Sequence, residues 1–297
     1  MAFRLKQIDY FWKKNMIFEH YLITRFNLKN PKWKFTKNNE LLLNDQWMDE
    51  RIELFANFCL PSVVAQTNKN FKWLLYFDTN TSEKHKAQIA QLIQPHSFIE
   101  AYYIDGMPML VESIRNYITT NVKSEYLITS RIDNDDSISK HFIETIQSKF
   151  GQQEHLAVDV TAGYTLNLSP VMIGKKEHLF NPFMSLIEKS ANAKTVWFYD
   201  HNMWKKEKNI IHLSSPRLWM SNIHEKNKVN EFDGYGNVSW AKVSEDFILS
   251  PEKNAEIAAK IIPQSKWWYL SFKNQLYVNF GFYLKLIKKK LGLYKIK

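Results

Sequence analysis

Glu125-Tyr-Leu-Ile-Thr-Ser-Arg131-Ile-Asp133-Asn-Asp135-Asp136 is the stretch on which the fold turns. Its first part, rich in apolar and β-branched residues, has the composition of a buried strand, and it runs directly into four residues that carry three carboxylates. The same sequence of strand, polar turn and helix repeats on the N-terminal side. Residues 71–77 read as a strand, Asp78-Thr79-Asn80-Thr81-Ser82 supplies turn and cap side chains, and a helix is expected over 83–94. A strand at 97–104 precedes a helix at 109–121. Upstream, 17–26 is aromatic and β-branched and leads into a polar, Pro-containing loop at 27–46. Residues 47–60 then place Met48, Ile52, Phe55, Phe58 and Cys59 at helical spacing, with an expected end at Pro61. After the acidic cluster a helix is expected over 137–150.

Strands alternating with helices of this length form a parallel sheet covered on both faces, so the fold class is α/β. Ligands of such sheets bind outside the carboxyl ends of the strands, which are occupied here by Arg25, Asp78 and the 131–136 cluster. The second half is less periodic. It offers strand-like runs at 156–161 and 195–199, a helix at 183–190, and a loop-rich stretch from 200 to 246.

Composition narrows the class. At 297 residues, with 45% hydrophobic and 24% charged, the chain can bury a core without disulfides, and its single Cys59, inside an apolar run, is expected to pack as a small hydrophobe in a reducing compartment. No uncharged apolar stretch reaches bilayer-spanning length and the N-terminus lacks a signal-peptide pattern, so a cytoplasmic location is expected. The net charge is +10, but residues 264–297 hold eight lysines and no acid, which leaves only +2 for the rest. A nucleic-acid face would place its charge on the folded body, so nucleic-acid binding is not expected of the domain. Arginine is scarce, six against 34 lysines, which makes residues 4, 25, 51, 115, 131 and 217 places where a planar cation is wanted.

In the tail, Tyr269, Phe272, Leu276, Phe280, Tyr283, Ile287, Leu291 and Tyr294 recur every three or four residues, with Lys285, Lys288 and Lys289 off that stripe. Trp267-Trp268 would anchor its start. Such a helix suits an anionic membrane surface; the alternative is a helix that packs the stripe on the domain, and Gly281 and Gly292 weaken either.

Three carboxylates at a strand end repel one another unless a cation neutralises them, and oxygen ligands suit Mg²⁺ or Mn²⁺ bridging to a diphosphate. Helix capping would account for one of them only. A helix-loop-helix calcium site is excluded by Ile138 at the position that needs glycine, and there is no Walker A loop, His-Glu-x-x-His helix or Gly-x-Ser-x-Gly elbow. His201, His212 and His224 lie among Trp197, Trp204 and Trp219, a composition that fits a sugar or nucleoside pocket, although a lone histidine is more often structural.

The 125–136 segment resembles the Asp-x-Asp segment of GT-A glycosyltransferases, in particular the bacterial family named putative rhamnosyltransferases, which is related to the family-2 enzymes. Similar segments stand at 20–27, at 51–67 with Leu60-Pro-Ser-Val-Val-Ala-Gln-Thr67, at 71–78, and at Pro216-Arg-Leu-Trp219-Met-Ser-Asn-Ile-His224. The resemblance implies one GT-A domain over 1–263, with a nucleotide-binding half at about 17–150 and an acceptor half at about 151–263, followed by a basic aromatic tail at 264–297. It implies inverting transfer from a nucleotide-sugar donor to a glycan or lipid-linked acceptor of a bacterial surface polysaccharide, assisted by Mn²⁺ or Mg²⁺, at the inner face of the cell membrane. Asp135 and Asp133 then hold metal, with His224 as a third ligand by analogy. Arg25 and Asp78 flank the nucleotide, and Arg131, with Asp133, meets diphosphate or ribose. Asp246, within Glu245-Asp246, corresponds to the base of family-2 relatives, with Glu188 as a rival. A nucleotidyl- or phosphotransferase using the same aspartates, or a binding module acting through the tail, are the readings from other classes.

Overall fold

The computed structural model describes residues 17–30, 44–224 and 231–294; Arg4, Lys295, Lys297 and part of the expected 27–46 loop lie outside these. In chain order the first half comprises β1 (Phe18–Arg25), α1 (Asp45–Leu54), a π-helical turn (Phe55–Cys59), α2 (Leu60–Val64), β2 (Lys72–Asp78), α3 (Glu83–Ile93), β3 (Ile99–Ile104), α4 (Leu110–Asn121) and β4 (Tyr126–Arg131). The second half comprises β5 (Ser137–Ile138), α5 (Phe142–Gln147), β6 (His155–Val160), β7 (Ala162–Leu168), β8 (Val171–Glu177), β9 (Met184–Lys189), β10 (Ile210–Leu213), β11 (Trp219–Ile223), α6 (Trp240–Val243), α7 (Pro251–Lys260) and α8 (Trp268–Lys290).

Seven strands form one sheet in the order β10-β6-β9-β4-β1-β2-β3. It is parallel except at β9, which runs antiparallel to both β4 and β6, so the protein is an α/β fold on a mixed, mostly parallel sheet. Strict alternation divides its side chains between two cores. Leu22, Trp73, Leu75 and Ile128 meet α1, α2, α3 and α5 on one face, whereas Tyr21, Ile23, Leu74, Tyr76 and Leu127 meet α4 and the tryptophans 197 and 204 on the other. A second sheet, β5-β11-β7-β8, packs with Phe58, α6 and α7 around Phe247 and Met220.

Several expectations change. The helix expected to stop at Pro61 continues to Val64 through the π-helical turn. Pro61 has no N–H to donate to the Asn57 carbonyl, and that carbonyl instead accepts the Ser250 N–H at 3.0 Å. The expected helix at 137–150 begins only at Phe142, because Ser137 and Ile138 pair with β11. The expected helix at 183–190 is strand β9, and the expected strand at 195–199 is a loop. Cys59 is buried as expected, and its thiol donates to the Asp133 carbonyl.

Where β7 and β11 lie side by side, Gly163 is opposite Trp219, whose indole stacks on Phe183 at 4.9 Å. A Cβ on Gly163 would stand 2.1 Å from that ring. Gly163→Ala is therefore expected to cost about 3 kcal/mol of stability by overpacking, read as a lower urea midpoint at unchanged slope.

Among the described residues no helix is long and apolar enough to cross a membrane. α8 ends in a Schellman turn: Gly292 has φ 64°, and the N–H groups of Gly292 and Leu293 donate to the carbonyls of Lys289 and Lys288. It packs on the body through Ser271, Asn274, Val278, Phe282 and Leu286, and not through the stripe read from sequence. Trp267 is buried while Trp268 is exposed, and Tyr294 turns back onto Phe180. Lys289 donates to the carbonyls of Lys205 and Glu207, so two lysines expected on the solvent side, 285 and 289, are on the domain side. Burial pushes both ammonium groups below their ordinary range.

Candidate active site

β4 delivers Arg131 to the carboxyl edge of the sheet between β1 and β9. The chain then turns: the Asp136 N–H donates to the Asp133 carbonyl at 3.3 Å, and Asn134 Nδ2 donates to the Phe26 carbonyl at 3.2 Å. β11 approaches from the second sheet. The Asn222 backbone N–H donates to Asp136 Oδ1 at 3.1 Å, its Nδ2 donates to the Asp135 carbonyl at 2.5 Å, and His224 Nε2 lies 3.3 Å from Asp135 Oδ2. From α1, the Arg51 guanidinium pairs with the same Asp135 oxygen and lies over the Trp47 ring.

Charge is distributed unevenly across this cluster. Burial alone would raise the Asp135 carboxyl, but the Arg51 charge and the His224 hydrogen bond outweigh it and hold the group well below the carboxylate range. Asp136 goes the other way: burial, then the charges of Asp135 and Asp133, push it far up. Asp133 Oδ1 is buried with no hydrogen-bond partner among the described residues.

Arg131 is 3% exposed, and its Nε and Nη1 groups have no acceptor among the described residues. Burial pushes its pKa down to about 10, with Arg25 acting in the same direction and Asp133 and Asp200 against it. Its guanidinium lies 3.9 Å from the Trp197 ring, and Arg25 lies over that ring at 5.6 Å. A buried cation with two idle donors has the chemistry to receive an anion.

The structure thus brings together Arg25, Arg131, Asp133, Asp135 and His224 at one edge, and adds Arg51 and Trp197. In the sequence Arg51 is marked by the scarcity of arginine and opens the 51–67 segment, and Trp197 is one of three tryptophans set among the histidines, but no local pattern places either at this edge. Asp78 is at the end of β2, but its oxygens are used within the loop, accepting the N–H of Lys29 and both the N–H and Nδ2 of Asn80. Asp246 is placed elsewhere. It borders a 340 Å³ cavity lined by Ser139, His141, Glu144 and Arg217, with its carboxylate 3.3 Å from Lys140 Nζ and 3.6 Å from His141 Nε2. Glu245 is exposed and gives Lys140 only its carbonyl. No hydrogen bond or ion pair among the described residues joins either to Asp133, Asp135 or His224. Glu188 engages both oxygens in accepting backbone N–H groups, of Lys194 and Thr195. Of the other histidines, His212 bonds the buried Asp159 and His201 bonds Asp200, while Trp219 and Trp204 are core.

Among solved structures the chain is similar to S. aureus TarS 1–349 in complex with UDP-GlcNAc, at 12% identity and a TM-score of 0.43, covering 77% of this chain and 64% of that one. It is similar to the mannosyltransferase PcManGT from Pyrobaculum calidifontis in complex with GDP-Man and Mn²⁺, at 7% identity and 0.41, covering 71% and 58%. A third is GalNAc-T7 with UDP, GalNAc and Mn²⁺, at 9% identity and 0.39, covering 76% and 48%. The chain spans less than two thirds of the length of each. Comparison with curated proteins gives no match. The family described as "Putative rhamnosyl transferase" matches residues 19–234, which include β1 from its second residue, the whole 131–136 cluster and His224, and the chain belongs to that glycosyltransferase family.

Proposed function

We propose that the protein transfers a sugar, with inversion, from a nucleotide-sugar donor to a glycan or lipid-linked acceptor of a bacterial surface polysaccharide such as capsule or lipopolysaccharide. The observation that carries this reading is Arg131, a buried guanidinium with two idle donors next to Arg25 and the Asp133–Asp135 turn. A nucleoside diphosphate supplies the acceptors that these donors lack. Asp135, His224 and the unpartnered Oδ1 of Asp133 are oxygen and imidazole donors of the kind that hold Mn²⁺ or Mg²⁺, although no group of three or more such residues among those described is arranged as a ready-made metal cage. The donor set therefore fits a metal completed by the diphosphate. When bound, such a cation neutralises charge on the departing diphosphate. Arg51 and His224 keep Asp135 ionised and oriented, and Arg131 and Arg25 hold the diphosphate. Glu245 and Asp246 lie outside this constellation, and the acceptor's proton is assigned to neither.

Incubation with Mn²⁺ and a panel of nucleotide sugars tests the reading. Release of nucleoside diphosphate with free or transferred sugar is expected; nucleoside monophosphate or pyrophosphate would instead indicate nucleotidyl transfer.

In this reading residues 1–263 are the transferase unit and the tail holds it at the inner face of the membrane. α8 supports that role, because Trp268, Tyr269, Phe272, Leu276, Tyr277, Phe280, Tyr283, Ile287 and Leu291 are all exposed, flanked by Lys266, Lys273, Lys288 and Lys290 in a stretch, 264–297, whose sequence holds no acid. Phe272→Ser with Phe280→Ser, at 56% and 71% exposure, is expected to leave the melting midpoint unchanged. Binding to phosphatidylglycerol-containing vesicles should fall by about tenfold or more. Equal co-sedimentation of variant and wild type would reject the membrane role.

A further inference from the structure

The loop that carries Trp197 is pinned by side chains of the two central antiparallel strands. Glu188, on β9, accepts the Lys194 N–H on one carboxylate oxygen and the Thr195 N–H on the other, both at 2.8 Å. The next N–H, of Val196, donates to Thr129 Oγ1 on β4 at 2.8 Å. Three consecutive backbone donors are thereby fixed. Between them Thr195 has φ 66°, a left-handed conformation that a β-branched residue keeps only where its surroundings over-determine it. Two residues later Trp197 is laid against Arg131. Thr129 and Arg131 are two apart on β4 and share a face, so the bond that anchors the loop and the stack it produces lie along one line.

We propose that Glu188, Thr195 and Trp197 are positioning residues for the donor's diphosphate: the carboxylate clamp and the left-handed turn seat the indole against Arg131, with Arg25 beside it, which fixes the Arg131 guanidinium before ligand arrives. The inference rests on the reading of Arg131 as a diphosphate receptor. A guanidinium already held in place loses less freedom on binding, so the clamp acts on affinity. Contacts made equally to donor and transition state change KM more than kcat.

The test is calorimetric titration of UDP, GDP and TDP, each with Mn²⁺, into the full chain and its variants, with transfer kinetics alongside. Glu188→Gln turns an amide N–H₂ towards a backbone donor, and Trp197→Leu removes the π face. Each is expected to weaken the preferred diphosphate about tenfold and to raise KM in proportion, with kcat changed less than about twofold. If Glu188→Gln fails to fold, Trp197→Leu reads the same arrangement from the ligand side. Wild-type affinity in Trp197→Leu, or a loss confined to kcat, overturns the proposal. If the wild type itself binds none of the three diphosphates, the reading of Arg131 fails first and this proposal with it.

Discussion

Arg131→Met is expected to raise the melting midpoint of the ligand-free protein and to abolish its response to nucleoside diphosphates. Both effects have one cause. The guanidinium has been taken out of water, with Nε and Nη1 left without acceptors among the described residues, and burial has pushed its pKa down to about 10. An apolar side chain of similar length removes that desolvation cost. Exchanges of this kind for buried ions stabilise by roughly 1–4 kcal/mol, a gain of several degrees in a domain of this size. Truncating a buried charged partner of a phosphate costs roughly 2–5 kcal/mol, so diphosphate affinity should fall by about thirtyfold or more. Differential scanning with and without diphosphate measures both at once. A lower ligand-free midpoint would mean that Asp133 and Asp200 already compensate the cation, and Arg131 would no longer be a group waiting for an anion.

Asp135→Asn should have the opposite profile, with little change in stability and a large loss of rate. The amide keeps the shape and can still accept from Arg51, and removing the charge relieves Asp136, whose carboxyl is pushed up by burial and then by Asp135. Turnover at saturating donor is expected to drop by about a thousandfold, the scale of losing one preorganised electrostatic contact at a departing anion. The rise in midpoint with Mn²⁺ and diphosphate should also disappear. Undiminished turnover would remove Asp135 from the chemistry.

The parallel half of the sheet was legible because each strand ends in a turn that the sequence spells out, such as Asp78-Thr79-Asn80 after β2. β9 was misread as a helix for a physical reason. A central strand buried on both faces has no alternation, and Met184-Ser-Leu-Ile-Glu-Lys189 offers none. Residues 195–199 have high strand propensity, yet capture of the Thr195 and Val196 N–H groups by Glu188 and Thr129 overrides it. Arg131, Asp133 and Asp135 are brought to the sheet's carboxyl edge as expected, because a strand end is a place as well as a motif. Glu245-Asp246 rests on a motif and not on a strand end, and its neighbours are Lys140 and His141. Trp197 is brought to Arg131 by the return of the chain through β9, which no local pattern encodes.

The reversed strand also sets an order of assembly on the ribosome. β3, β2, β1 and β4 can pair as soon as residue 131 has emerged, each flanked by a neighbour already made. β4 then waits, with one edge open, until residues 184–189 arrive, because β9 and not β5 or β6 completes that side. During that interval nearly sixty residues, 132–189, are synthesised while the edge of β4 is bare, which is when self-association or a chaperone has its best opportunity. Substitutions that slow the closing of β9 should therefore reduce the yield of folded protein before they reduce its stability.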